Sequence, residues 1–189
     1  GLEHSAPMPN VPPPRELRED VEVARELGGA RADPRMSPLA KVDRPFHLRS
    51  VFELGSEAWG ENRFWNPTWI KFREALTLPQ QIEDPEEAAY RKQALARCLI
   101  AYASDMGLVS TAVLPHQAST NRSEIQIASL DHSLWIHRTA PLDEWLLFHK
   151  RTSTAQSSRG MVHSEFFAES GALVASMSQE GLLRKKRSD

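Results

Sequence analysis

The stretch DPEEAAYRKQALARCLIAYASDM, Asp84–Met106, decides the fold. Asp84 is placed to N-cap a helix, Pro85 suits the first helical position, and Glu87 completes a D-x-x-E capping box. Acidic Glu86 and Glu87 also suit the positive end of the helix dipole. Leu95, Cys98, Leu99, Tyr102 and Met106 recur at three- and four-residue spacing and predict one apolar stripe. On that stripe Cys98 reads as a small buried hydrophobe rather than a nucleophile. Gly107 is the expected stop. A helix of roughly 22 residues at 1.5 Å each spans about 33 Å, long enough to lie across a whole sheet.

Strand-like segments flank this helix. Before it, Asp43–Leu54 and Thr68–Ala75 alternate, with Trp69 and Lys71 opposing Ile70 and Phe72; Gly55–Pro67 reads as a loop or insertion carrying two tryptophans. After it come Glu124–His137, with an irregularity expected near Leu130–Asp131, then Glu144–Ser153, Gly160–Ala168 and Ala172–Leu183. Ser170-Gly171 marks a hairpin. The order predicts an α+β layer, one curved antiparallel sheet with one long helix on its apolar face. The other side of such a sheet and its edges need cover, so pairing with a second unit is expected.

Seven of the 13 prolines lie within residues 1–38. Ala6–Pro14 (APMPNVPPP) is expected to run as polyproline II, followed by a short surface helix within Arg15–Leu27 whose stripe is Leu17, Val21, Ala24 and Leu27. Residues 1–38 therefore read as a linker, 39–184 as the ordered domain, and 185–189 as a basic tail. The chain has 189 residues, 25% of them charged, a net charge of −2 and one cysteine. These values exclude collagen-like and wholly disordered classes, an intrachain disulfide framework, and a global basic field for nucleic acid. No signal peptide and no transmembrane run are expected. The first residue is Gly1 rather than Met, as expected of a processed product or a fragment.

Three polar residues fall on faces whose periodicity is apolar. Asp105 borders the helix stripe; Ser129 alternates with Ile125 and Ile127; Gln179 alternates with Leu173, Ala175 and Met177. A carboxylate, a hydroxyl and an amide facing a core each need partners, and a shared site would satisfy them together while holding one water. Each also has an ordinary reading: a helix terminus, a hydroxyl bonded to backbone, and an amide on an edge strand. Asp131-His132-Ser133 has the residue types of a hydrolase triad, but neighbours on a strand point apart and no G-x-S-x-G elbow is present. No HExxH, CxxC or phosphate-loop motif occurs, and His132 and His137 are expected on opposite faces, so no metal is expected.

Ser129–Arg138 (SLDHSLWIHR), Asp143–Leu147, Ser157–Gly160, Leu173–Ser176 and Gln179–Gly181, with Tyr102–Asp105 before them, resemble the C-terminal half of the acyl-CoA thioesterase II family. Gly1–His4 is similar to the junction where that family's linker leaves its first half. The resemblance implies a hotdog fold, an antiparallel sheet wrapped around one long helix, in a family that carries two such units per chain. It also implies a catalytic trio, Asp105, Ser129 and Gln179, holding a water that attacks an acyl-CoA thioester. Burial beside the apolar stripe is expected to raise the pKa of Asp105 toward that of a useful base. Arg138 and Arg159 are substrate-binding candidates for the coenzyme A phosphates, with Arg151 a further one; Trp135, Phe148, Phe166 and Phe167 are candidates for an acyl channel. No cofactor is expected, since coenzyme A is part of the substrate. The expected partners are acyl-CoA and either a second copy or an N-terminal hotdog, with no nucleic acid and no membrane. The expected compartment is peroxisomal or cytoplasmic. The competing expectation is a non-catalytic, acyl-CoA-binding half-domain that needs its missing N-terminal hotdog.

Overall fold

The computed structural model describes residues 1–27, 45–61, 63–74, 82–140 and 144–186. In chain order the elements are α1 (Asp20–Glu26), β1 (Phe46–Ser50), α2 (Glu57–Gly60), β2 (Trp65–Phe72), α3 (Pro85–Ser104), β3 (Ile125–Ser129), β4 (Ser133–Ile136), β5 (Leu146–Gln156), β6 (Arg159–Ala168) and β7 (Leu173–Lys185). Short 3-10 segments occupy Pro14–Glu16, Val109–His116 and Arg122–Glu124. Every described strand pairing is antiparallel, in the order β1-β2-β5-β6-β7-β3, with β4 also on β7. The expected start of the ordered domain, Leu39, and the end of the basic tail lie outside the described residues.

Helix α3 begins at its expected N-cap: the Asp84 carboxylate accepts from Glu86 N–H at 2.9 Å, with Pro85 in the first turn, while Glu87, expected to complete a capping box, accepts from Arg91 at 2.6 Å instead. Its buried face is Ala96, Ile100, Ala103 and Ser104, with Leu99 and Met106 at the flank. That face is rotated from the expected stripe. Cys98 is exposed, not buried, and Tyr102 is 55% exposed although it stacks on Phe46. Ala96, Ile100 and Ala103 make the contact with the core, and Cys98 and Tyr102 stand to the side. The core above it is Phe46, Ile70, Phe148, Val162, Phe166, Ala175 and Met177. Gly107, at φ +68°, ends the helix in the left-handed region that favours glycine. By length and composition Pro85–His116 would be apolar enough to cross a membrane, which corrects the expectation that no such run exists. Of its buried residues, Ala96, Ile100, Ala103, Leu108 and Ala112 belong to the sheet's core.

The outer face of the sheet is not bare, and the N-terminal residues are not a free linker. Trp69, Leu147 and Phe167 form a second apolar cluster covered by Met8, Val11 and Leu17. Pro12 lies in the run ahead of the 3-10 turn, whereas Pro14 O already accepts from Leu17 N–H within that turn. Pro12 O accepts from Trp69 Nε1 at 2.9 Å, and Pro14 O accepts from Arg49 at 2.6 Å. Helix α1 then packs Val23 and Ala24 on Leu54 and Trp59; of the expected stripe Ala24 is buried there and Leu17 lies on the outer cluster, while Leu27 is 36% exposed.

Beneath α1, Asp20 accepts from Ser50 N–H and Ser50 Oγ, both at 2.8 Å. Lys150, 5% exposed, donates to Thr68 Oγ1 at 3.2 Å and interacts electrostatically with Asp20. Burial, aided by repulsion from Arg63, pushes the Lys150 ammonium down to about 8 against the attraction of Asp20. The native state therefore binds fewer protons than the unfolded chain between about pH 8 and 10.5, so stability rises with pH across that window. Between pH 8 and pH 10 the expected rise from Lys150 is about 2 kcal/mol, and Lys150→Met should remove it, leaving the smaller rise near pH 10 from Arg63, which burial lowers to about 10. Urea unfolding of both proteins at the two pH values checks this; parallel pH dependences would contradict it.

Candidate active site

Asp105 is the C-cap of α3, so its carboxylate stands where the last helical turn meets the loop. A negative charge at a helix C-terminus opposes the dipole and calls for donors. Two reach it. Gln179 Nε2 donates to Asp105 Oδ1 at 2.6 Å, and Ser129 Oγ does so at 3.5 Å, the long limit of such a bond. Gln179 is wholly buried, while Asp105 and Ser129 are exposed. The burial expected for Asp105 is thus absent in the single chain, and its carboxylate opens to solvent.

The break in the edge strand explains how β7 presents its amide. β4 pairs residues 175–178 of β7, and β3 pairs residues 181–185. Gln179 and Glu180 lie opposite the gap between them, at Leu130–His132. Leu130 N–H donates to Glu180 O at 3.0 Å, and the Asp131 carboxylate accepts from Glu180 N–H at 2.7 Å. Asp131 is therefore occupied in closing the ladder, not in a serine triad. The gap turns His132 toward the site, where Nδ1 lies 3.2 Å from Gln179 Nε2 and Nε2 lies 2.8 Å from Ser104 Oγ. Ser104 and His132 were not among the sequence candidates for this cluster. The expected irregularity at Leu130–Asp131 was the signal that could have found His132, since it breaks the alternation that pointed the ring elsewhere. A further departure lies at β7's start: a bulge between Phe166 and Phe167 places Leu173 with the outer cluster and Val174 in the core.

The arginine candidates are not gathered into one phosphate pocket. Arg159 donates to Glu180 Oε2 at 3.4 Å and lines a cleft of about 360 Å³ with His116, Ser158 and Lys185. Arg138 is exposed and tied by its backbone to Val174, six residues from Glu180 along β7, roughly 20 Å away. Arg151 is paired with Glu165 at 3.3 Å. The aromatic candidates also separate. Phe148 and Phe166 pack in the core with ring centroids 4.4 Å apart, Phe167 is on the opposite face, and Trp135 is 54% exposed. Among the described residues no group of three His, Cys, Asp or Glu side chains is arranged to hold a metal ion.

An acidic acceptor beside a buried amide and a hydroxyl, open on one side, can orient a small nucleophile such as water without a covalent intermediate. Comparison with known proteins gives this arrangement a context. The chain is 28% identical over 184 residues to acyl-CoA thioesterase 2 of Haemophilus influenzae, covering 97% of this chain and 59% of that protein. It is 31% identical over 188 residues to acyl-coenzyme A thioesterase 8 of Mus musculus, covering 98% of this chain and 55% of that protein. Its structure matches the crystal structure of acyl-CoA thioesterase II TesB2 from Mycobacterium marinum at a TM-score of 0.67, with 29% identity, covering 98% of this chain and 59% of that one. A hot dog fold protein from Alicyclobacillus acidocaldarius matches at 0.59 with 15% identity, which supports the fold alone. The chain spans little more than half the length of these relatives. The curled antiparallel sheet around one long helix is a hotdog fold. The acyl-CoA thioesterase family profile matches residues 81–182, more than half of the chain and the whole segment carrying Asp105, Ser129 and Gln179, so the chain belongs to the acyl-CoA thioesterase family.

Proposed function

We propose that the chain is a hydrolase unit that cleaves fatty acyl-CoA to free acid and coenzyme A by direct attack of water. Support comes above all from the meeting of the helix-capping carboxylate of Asp105 with the buried Gln179 amide and the Ser129 hydroxyl. In this reading Asp105 takes a proton from the water, Gln179 fixes the geometry of the carboxylate, and the exposed Ser129 hydroxyl is the group beside it that can accept from the attacking water. Attack on the thioester carbonyl forms a tetrahedral oxyanion; one well-placed donor on such an oxyanion is worth about 3–4 kcal/mol in other enzymes. Collapse expels the thiolate, a good leaving group because thiols have pKa values near 8.5. The sequence of steps calls on no cofactor and no metal. Arg159 is the better placed of the two arginine candidates for a coenzyme phosphate, since Glu180 ties it to the strand that carries Gln179.

The reading includes a pairing partner. Asp105, Ser129 and His132 are exposed along the β3–β4 edge beside Leu130 at 52% and Trp135 at 54% exposure. A second hotdog, either another copy of this chain or an N-terminal half, covers that edge, completes the site and takes Asp105 out of water, which strengthens it as a base. The half-length match to the relatives supports this. The same exposure favours one alternative, a half that binds acyl-CoA and turns it over only when paired. Thiol release from short-, medium- and long-chain acyl-CoA, with the native mass taken in the same buffer, separates the two. Turnover by a dimer is the expected result. A monomer that binds acyl-CoA without releasing thiol would support the alternative.

A further inference from the structure

The hydrogen bonds around Gln179 fix the direction of every proton in the cluster. As a carboxylate, Asp105 can only accept, so the Gln179 atom 2.6 Å from its Oδ1 is the amide nitrogen. That nitrogen also lies 3.2 Å from His132 Nδ1, which must therefore be the unprotonated, accepting nitrogen of the ring. On the ring's other side, His132 Nε2 is 2.8 Å from Ser104 Oγ, and Ser104 donates its own proton to Ala101 O at 2.7 Å. Only lone pairs of the serine oxygen remain for the ring, so Nε2 carries the imidazole proton. The chain of donors runs from Gln179 to His132 and from His132 to Ser104, ending on the last turn of α3.

Both amide protons of Gln179 are thus in use, one on Asp105 and one on His132. Its Oε1 is buried with no hydrogen-bond partner among the described residues, so nothing on the oxygen side holds the amide plane. A flipped amide would set its oxygen against a carboxylate and an imidazole lone pair. Ser104 and Gln179 are both wholly buried, which makes the two ends of the chain rigid. We propose that His132, held as its Nε2–H tautomer by Ser104, is the positioning residue that keeps the Gln179 amide directed at Asp105. The proposal rests on the hydrolytic reading above and adds to it a residue that acts through Gln179, not on the substrate.

The test combines kinetics with ring spectroscopy on the full chain. His132→Ala removes the acceptor and should lower kcat about 10- to 100-fold, with KM changed less than about twofold. His132→Asn puts a side-chain oxygen in place of Nδ1 and should restore most of that loss. Long-range 1H–15N spectra of the free protein should show His132 as the Nε2–H tautomer, moving to a mixture in Ser104→Ala. The spectra need no turnover, so they decide the tautomer even where activity requires a partner. An Nδ1–H tautomer in the unmodified chain overturns the proposal. So does unchanged kcat in His132→Ala alongside loss of turnover in Asp105→Ala, an outcome that leaves the hydrolytic reading standing. Turnover persisting in Asp105→Ala removes that reading instead, and the proposal with it.

Discussion

Asp105→Ala is expected to lower kcat for thiol release by about 100- to 10,000-fold, the range lost when a positioned general base is removed. KM should hardly move, because the carboxylate is assigned to the water and not to the acyl or coenzyme portions of the substrate. The substitution also leaves one amide proton of buried Gln179 without its 2.6 Å acceptor. An unmatched buried donor costs about 1–3 kcal/mol, but the same change removes a negative charge from the C-terminal end of α3, which offsets part of it. The thermal midpoint should therefore shift by only a few degrees while activity collapses. Asp105→Asn is the sharper companion: it keeps the size and an oxygen that can still accept from Gln179 and Ser129, yet its uncharged amide cannot take a proton from water. Initial rates and thermal midpoints for the three proteins check this. Equal losses of activity and of folded protein would assign Asp105 to stability alone.

The second large effect is expected at Gly181. This residue pairs with Ser129 on one side and Gly160 on the other, directly after the Gln179–Glu180 pair. A Cβ added there would overlap Val109 Cγ2 and press on Ala128 O at 3.2 Å. Val109 is β-branched and its Cβ is itself only 3.1 Å away, so a change of rotamer gives little room and the start of the 3-10 segment Val109–His116 would have to lift from the sheet. Gly181→Ala should destabilise the fold by about 3 kcal/mol, or about 6–12 °C in thermal midpoint for a chain of this size. Since the worst overlap is with one side chain, Val109→Ala in the same protein should restore more than half of the loss. A double-mutant cycle on chemical unfolding measures that coupling; simple additivity would contradict the steric account.

How far the sequence carried depended on which forces set each feature. Helix α3 was legible because capping is local: Asp84 and Pro85 mark its start, and Gly107 its end, without reference to tertiary structure. The alternation around Ile70 and Trp69 was legible for the same reason, since a strand's two faces follow from its period. The rotation of the α3 stripe was not. Ala96 and Ala103 carry little weight in a hydrophobic pattern, yet with Ile100 they form the face that meets the core. The docking of Met8, Val11 and Leu17 on the outer face was hidden because prolines signal only the lack of regular structure, not which side chains their carbonyls meet. In the site, periodicity and family resemblance both indicated Asp105, Ser129 and Gln179, and the fold brings the three within hydrogen-bond reach. His132 was missed because its direction is set by the ladder break that Asp131 closes, which is a tertiary fact. Arg138 and Arg159 resembled each other as charges, but the length of β7 separates them.

The central claim is that the acyl group passes from coenzyme A directly to water at Asp105, Ser129 and Gln179. The most direct measurement is rapid-quench quantification of thiol and free acid from one acyl-CoA, over the first turnovers of the unmodified chain in its native assembly. The account predicts that the two products form in equal amounts and in a single shared phase. A burst of thiol, stoichiometric with protein and ahead of the acid, would reveal a covalent acyl-enzyme and contradict it.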